Sequence, residues 1–170
     1  MIRIIGIIVS VLMCSYVGII KSKRYDMRVK ELEICSLMCQ KIITLLSYES
    51  TPTVHIISYL AKTQSLHKLT FLAECETLLN QGVEFPTAWK NSLEKEMQTM
   101  CLNKSDLSLI GQLSEVIGAC DAQGQINTIK MYQAMFEQNC CEAAKAYQTK
   151  GKLCRSLGVL SGIAMSIMFI

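Results

Sequence analysis

The sequence predicts an all-α fold: a cytoplasmic helical bundle of about six helices, the first and last long and leading into the membrane. Three observations carry this. Only two prolines occur in 170 residues, so little interrupts a helical run. Two long stretches place apolar residues at alternating three- and four-residue steps, the seam of a helix buried along one side. No run alternates apolar and polar residues convincingly enough for a half-buried strand.

The ends set the domain organisation. Apolar residues make up 51% of the chain and the mean hydropathy is +0.30, high for a soluble domain. The excess lies at the two termini. Ile4 to Ile20 and Ser156 to Ile170 contain no charged residue, and 16 of the 17 Lys and Arg and all 14 acidic residues lie between them. The first run, counted from Ile2, is close to the ~20 residues that span a bilayer. No small-x-small cleavage site follows it, so it reads as an anchor and not as a secretory signal. The last run has 15 residues; Leu153 and Cys154 extend it, with Arg155 snorkelling. The expected divisions are therefore 1–20 transmembrane, 21–155 helical bundle, and 156–170 a second hydrophobic, transmembrane segment. Lys21, Lys23, Arg24, Arg28 and Lys30 follow the first run, and Lys145, Lys150, Lys152 and Arg155 precede the second. Basic flanks on the inner sides place the middle domain in the cytoplasm.

The helices follow in order. Leu32, Cys35, Cys39, Ile42 and Leu46 form the first seam, and nothing breaks the chain between the anchor and about Ser47. "YESTPT" ends that helix. Thr51 reads as an N-cap with Pro52 at the first helical position, opening a short helix to about Lys62. Another is expected over about 66–80, closed by Gly82. Pro86 marks the first turn of the next. Asp106 is expected to open a helix running to about Ile117. The longest pattern after it is Ile126, Ile129, Gln133, Phe136, Cys140, Ala143 and Tyr147, expected to continue through Lys150 into the final apolar run.

The chemistry of the chain is sparse. Nine Cys are scattered, and in a cytoplasmic domain they read as reduced thiols used as small apolar residues. Cys35 and Cys39 lie on the apolar seam, and neither His55 nor His67 completes a zinc pattern. No metal or cofactor is expected. Nucleophilic catalysis needs Cys or Ser, His and a carboxylate converging in space, and two His offer little material for it. There is no phosphate-binding glycine loop. The net charge is +3 with the signs mixed, unlike a nucleic-acid binder.

Two features stand out. "IGACDAQGQ", Ile117 to Gln125, sets small residues around one carboxylate. It reads as a joint in which Gly118 permits close helix approach, Asp121 caps the long helix that follows, and Gln125 shares its face. Where the helix instead runs through Gly118, Asp121 and Gln125 become a buried polar pair. Trp89, the single Trp, reads either as a core anchor or as an exposed partner contact.

These pieces together resemble the stage III sporulation protein AB family of endospore-forming bacteria. The resemblance rests on the N-terminal anchor with its basic exit, "YESTP", "GVEFPTAWKNSL" with Gly82 and Trp89, "IGACDAQGQ", and "GKLCRSLGVLSG" before the terminal apolar run. It implies a non-enzymatic platform or scaffold in a secretion-like membrane complex between mother cell and forespore. The bundle would be similar to the cytoplasmic domain of inner-membrane platform proteins of type II secretion and type IV pilus systems. A cytoplasmic ATPase of the same complex is the expected partner, alongside other protein components and further copies of the chain. The competing reading is a membrane-anchored helical sensor that binds a small ligand in a polar pocket.

Overall fold

The computed structural model describes residues 2–49, 52–117, 122–154, 156, 157 and 160. Among them are six α-helices and no strand: α1 Ile2–Glu49, α2 Thr53–Lys62, α3 Phe71–Asn80, α4 Phe85–Glu96, α5 Lys104–Ile117 and α6 Ala122–Ala146. A 3-10 turn, Gln64–Leu66, precedes α3, and a π-helical turn, Tyr147–Gly151, follows α6. Contacts divide the chain into two units, Lys30–Cys140 and the pairing of Met1–Val29 with Cys141–Ile170. The all-α bundle expected from periodicity is present, with its longest helices first and last.

Within Lys30–Cys140 the short helices pack in sequence order, α2 on α3, α3 on α4 and α4 on α5. The predicted seam of α1 is buried throughout: Leu32, Cys35, Cys39 and Ile42 have no exposed surface, nor does Met38 between them, and Leu46 is nearly covered. On α6, Ile126, Ile129 and Phe136 are buried, again at the predicted steps. Burial of such side chains contributes roughly 1.5–3 kcal/mol each. It also holds short helices that would be marginal alone.

Four boundaries differ from expectation. Pro52, not Thr51, is the residue flanking α2, with no side-chain capping bond; Thr51 lies outside the described residues. The helix expected from 66 begins at Phe71. Leu66 N donates to Thr63 O at 2.9 Å and Leu69 N to Leu66 O at 2.8 Å, three-residue closures that put the buried Leu66 and Leu69 on one side. Asp106 does not open α5. Asn103 does: its Oδ1 accepts from Asp106 N at 2.8 Å, while Asp106 Oδ2 accepts from Asn103 N at 3.1 Å. This is a reciprocal capping box, legible in "NKSD". Finally, α6 does not continue regularly through Lys150, since the π-helical turn inserts an extra residue there. Gly151 fits because a Cβ on it would stand 2.8 Å from Tyr147 Cδ2.

Among the described residues, no helix is long and apolar enough to cross a membrane. Much of both runs on which spans were expected, 1–20 and 156–170, has side chains or whole residues outside that description. The backbone of the first run from Ile2 is part of α1.

Gly82 terminates α3 as predicted. Its φ is +85°; Gly82 N donates to Leu79 O at 3.0 Å and Val83 N to Leu78 O at 3.1 Å. The paired bonds are those of a Schellman motif. No atom lies within 4 Å of where a Cβ would stand, so an added methyl meets only the left-handed backbone penalty. Gly82→Ala should therefore destabilise the full chain by about 1–2 kcal/mol in chemical unfolding followed by circular dichroism.

Candidate functional site

The joint between α5 and α6 is described on either side of its centre. Gly118 and Asp121, the expected close-approach glycine and cap, lie outside the described residues. Gln125 is inside them and nearly buried. Its Nε2 donates to Ile117 O at 3.2 Å. The end of a helix leaves carbonyls without intrahelical partners, and Gln125 satisfies one of them from the next helix. Its observed role is to close the joint.

Trp89 is fully buried. Its Nε1 donates to Ile110 O at 2.9 Å, and its ring meets Phe71 edge-on at 5.0 Å and Phe85 at 5.7 Å. One side chain of α4 thus holds α3 and α5. The partner-contact reading of Trp89 is corrected: with no exposed surface it offers nothing to a partner, because a large apolar ring with one polar atom suits a core in which that atom finds an acceptor. Ser92, also fully buried, donates back to Trp89 O at 3.0 Å.

The inward-facing carboxylates escaped the sequence reading. Asp106 has no exposed surface and Glu31 very little. Asp106 completes the α5 cap and accepts from Asn139 Nδ2 of α6 at 3.0 Å. Glu31 of α1 accepts from Cys101 N at 2.8 Å. These bonds tie the segment before α5 to both long helices. Burial raises the Glu31 carboxyl above its ordinary 4.5, and the amides of Cys101 and Leu102 pull it back down. Asp106 was detectable from the capping-box spacing. Glu31 was not, since its partner lies 70 residues away.

The thiols around these groups are quiet. Burial pushes Cys35 well above its ordinary range, with Cys39, Glu31 and Asp106 adding to the shift. Burial pushes Cys39 up to about 12 and Cys75 up to about 11, against a hydrogen bond from Ser92 in the latter case. The nucleophile is the thiolate, so these three are poorly suited to attack. His55 and His67 are exposed. No cluster of three His, Cys, Asp or Glu able to hold a metal occurs among the described residues. The outside carries ion pairs instead, Lys95 with Glu74 at 2.6 Å and Lys90 with Glu115 at 3.3 Å. Thr70 also hydrogen-bonds Glu96. Exposed pairs of this kind are worth little to folding.

Comparison with known proteins agrees along the whole chain. The family model described as stage III sporulation protein AB matches residues 3–170. Stage III sporulation protein AB of Bacillus subtilis (strain 168) is 25% identical over 169 residues, 99% of each chain. A solved structure of a stage III sporulation protein AB superposes with a TM-score of 0.59 at 25% identity, covering 72% of this chain and 97% of that one.

Two predictions follow from this geometry. Trp89→Ala should cost about 3–5 kcal/mol in chemical unfolding; a loss under about 0.5 kcal/mol would be that of a surface residue and would contradict the core assignment. Glu31 binds its proton more tightly folded than unfolded. Its contribution to stability is thus full below the ordinary carboxylate pKa and is lost as pH rises through the raised folded value. Glu31→Gln, which cannot titrate, should gain stability relative to the parent between pH 4 and pH 7. A stability difference that stays flat across that range would reject the raised pKa.

Proposed function

The chain belongs to the stage III sporulation protein AB family, and from that fact we propose its job within sporulation: a membrane-tethered platform that docks a cytoplasmic ATPase. The observation that carries the reading is the family match over residues 3–170. The character of the described interior supports it. The buried carboxylates are engaged with backbone and amide groups and the buried thiols are held protonated, so the polar chemistry is spent on holding helices in place.

The working surface in this reading is the outside of the bundle. Lys30–Cys140 carries twelve Asp and Glu against eight Lys and Arg; with the buried Glu31 and Asp106 set aside, ten acidic residues remain against eight basic ones. A net negative scaffold favours a basic face on its partner. The two apolar terminal runs supply the tether, with the bundle on the cytoplasmic side of the mother-cell membrane facing the forespore. Further copies of the chain and other membrane components would complete the complex.

The test is co-purification of the full chain with the ATPase from membranes at low and high salt. Association at low salt that weakens as salt screens the charges is the expected result. Absence of association at both salt concentrations would remove the docking role.

A further inference from the structure

The terminal unit joins segments from opposite ends of the sequence, Met1–Val29 and Cys141–Ile170. Its charge differs from that of the bundle. Nine Lys and Arg lie in it against two Asp and Glu, a surplus of seven, while Lys30–Cys140 has a deficit of four; together they return the net +3. Along the sequence this is hidden, because 21–155 as a whole is almost balanced.

Gly151 and Ser22 set the two segments at one level: a Cβ on Gly151 would stand 3.6 Å from Ser22 Oγ. Around that level Lys21, Lys23, Arg24, Lys150 and Lys152 are all exposed. On α1, the exposed surface before the level is apolar: Met13, Tyr16, Val17 and Ile20, spaced as one helical stripe. On the other segment the apolar stripe comes after the level: Leu153, Leu157 and Leu160. Ser36 Oγ also donates to Glu137 Oε1 at 3.1 Å, so the partner of α1 moves back along the chain as α1 advances; the two segments run in opposite senses, and both change from apolar to basic at the same height. Exposed apolar stripes of this extent are costly in water. A band of positive charge at their edge matches one environment, the anionic headgroup layer above an acyl interior.

We propose that this collar, Lys21, Lys23, Arg24, Lys150 and Lys152, binds the phosphates of anionic phospholipids. The inference rests on the membrane-tether reading and adds the lipid class and the residues that select it. It needs the apolar stripes to enter the acyl layer, whether or not either segment crosses it. The collar serves as a level gauge. It fixes how deep the unit sits, because basic side chains resist entry into the acyl layer and gain from phosphate contact.

The test uses the full chain in neutral detergent, offered phosphatidylglycerol and phosphatidylcholine of identical acyl chains, with native mass spectrometry counting retained lipid. Phosphatidylglycerol should be retained at least about fivefold over phosphatidylcholine. The preference should fall below about twofold when Lys21, Lys23, Lys150 and Lys152 are all changed to Gln. It should persist when the same four are changed to Arg, and when Lys90, Lys95, Lys104 and Lys130 are changed to Gln instead. Circular dichroism checks that each variant is folded. Equal retention of both lipids by the parent, or an unchanged preference in the first Gln variant, overturns the proposal. Binding of soluble polyglutamate with no lipid preference does so too, and identifies an acidic protein as the partner. Displacement of the lipid by inorganic phosphate at equal concentration rejects a headgroup site in favour of a free-anion site. Carbonate extraction of membranes separates this proposal from its premise: a chain that washes off refutes tether and collar together, whereas one that stays without a lipid preference refutes the collar alone.

Discussion

Everything in the bundle depends on the buried seam of α1. A helix of 48 residues cannot be held by its own propensity where one side is a continuous apolar line; that line must be covered. From Leu32 to Leu46 it is covered completely or nearly so. The seam mixes Leu, Ile and Met with two Cys. Small side chains between large ones suit the close packing of a protein interior. The high Cys and Met content of the chain is thereby explained in part as packing material.

Covering a long helix with short ones creates ends, and ends expose unpaired amides and carbonyls. Polar side chains answer that need. Asn103 and Asp106 cap α5, Asn139 reaches Asp106 from α6, Glu31 takes the amide of Cys101 before α5, and Gln125 takes the carbonyl of Ile117 at the end of α5, while Trp89 adds a bond to the Ile110 carbonyl within that helix. Every one of these groups could be mistaken for reactive chemistry in a residue list. In the fold their lone pairs and protons are committed to backbone and amide partners. The same burial that makes the carboxylates valuable as fasteners keeps Cys35, Cys39 and Cys75 protonated.

The two units divide the physical work. Lys30–Cys140 packs a core, has a net negative charge and carries ion pairs on its surface. The terminal unit has a surplus of positive charge and exposed apolar stripes.

Sequence alone determined the all-α class, the seams of α1 and α6, and the glycine stop at Gly82. Each is local: a helix's buried face repeats every three or four residues, and a left-handed turn asks for Gly where it occurs. The family resemblance was legible for a similar reason, as short motifs in a constant order. The site was less so. Gln125 was read as the partner of Asp121, which lies outside the described residues; the bond observed is to the carbonyl of Ile117 at the other end of the motif. Trp89 left two readings open, because a large ring with one donor suits a core and an interface equally until burial is known. Only the tertiary structure decided for the core, joined Glu31 to Cys101, and gathered the basic residues of the two termini at the level of Gly151. Those pairings join residues far apart in the chain, and periodicity records which face of a helix is buried without recording what buries it.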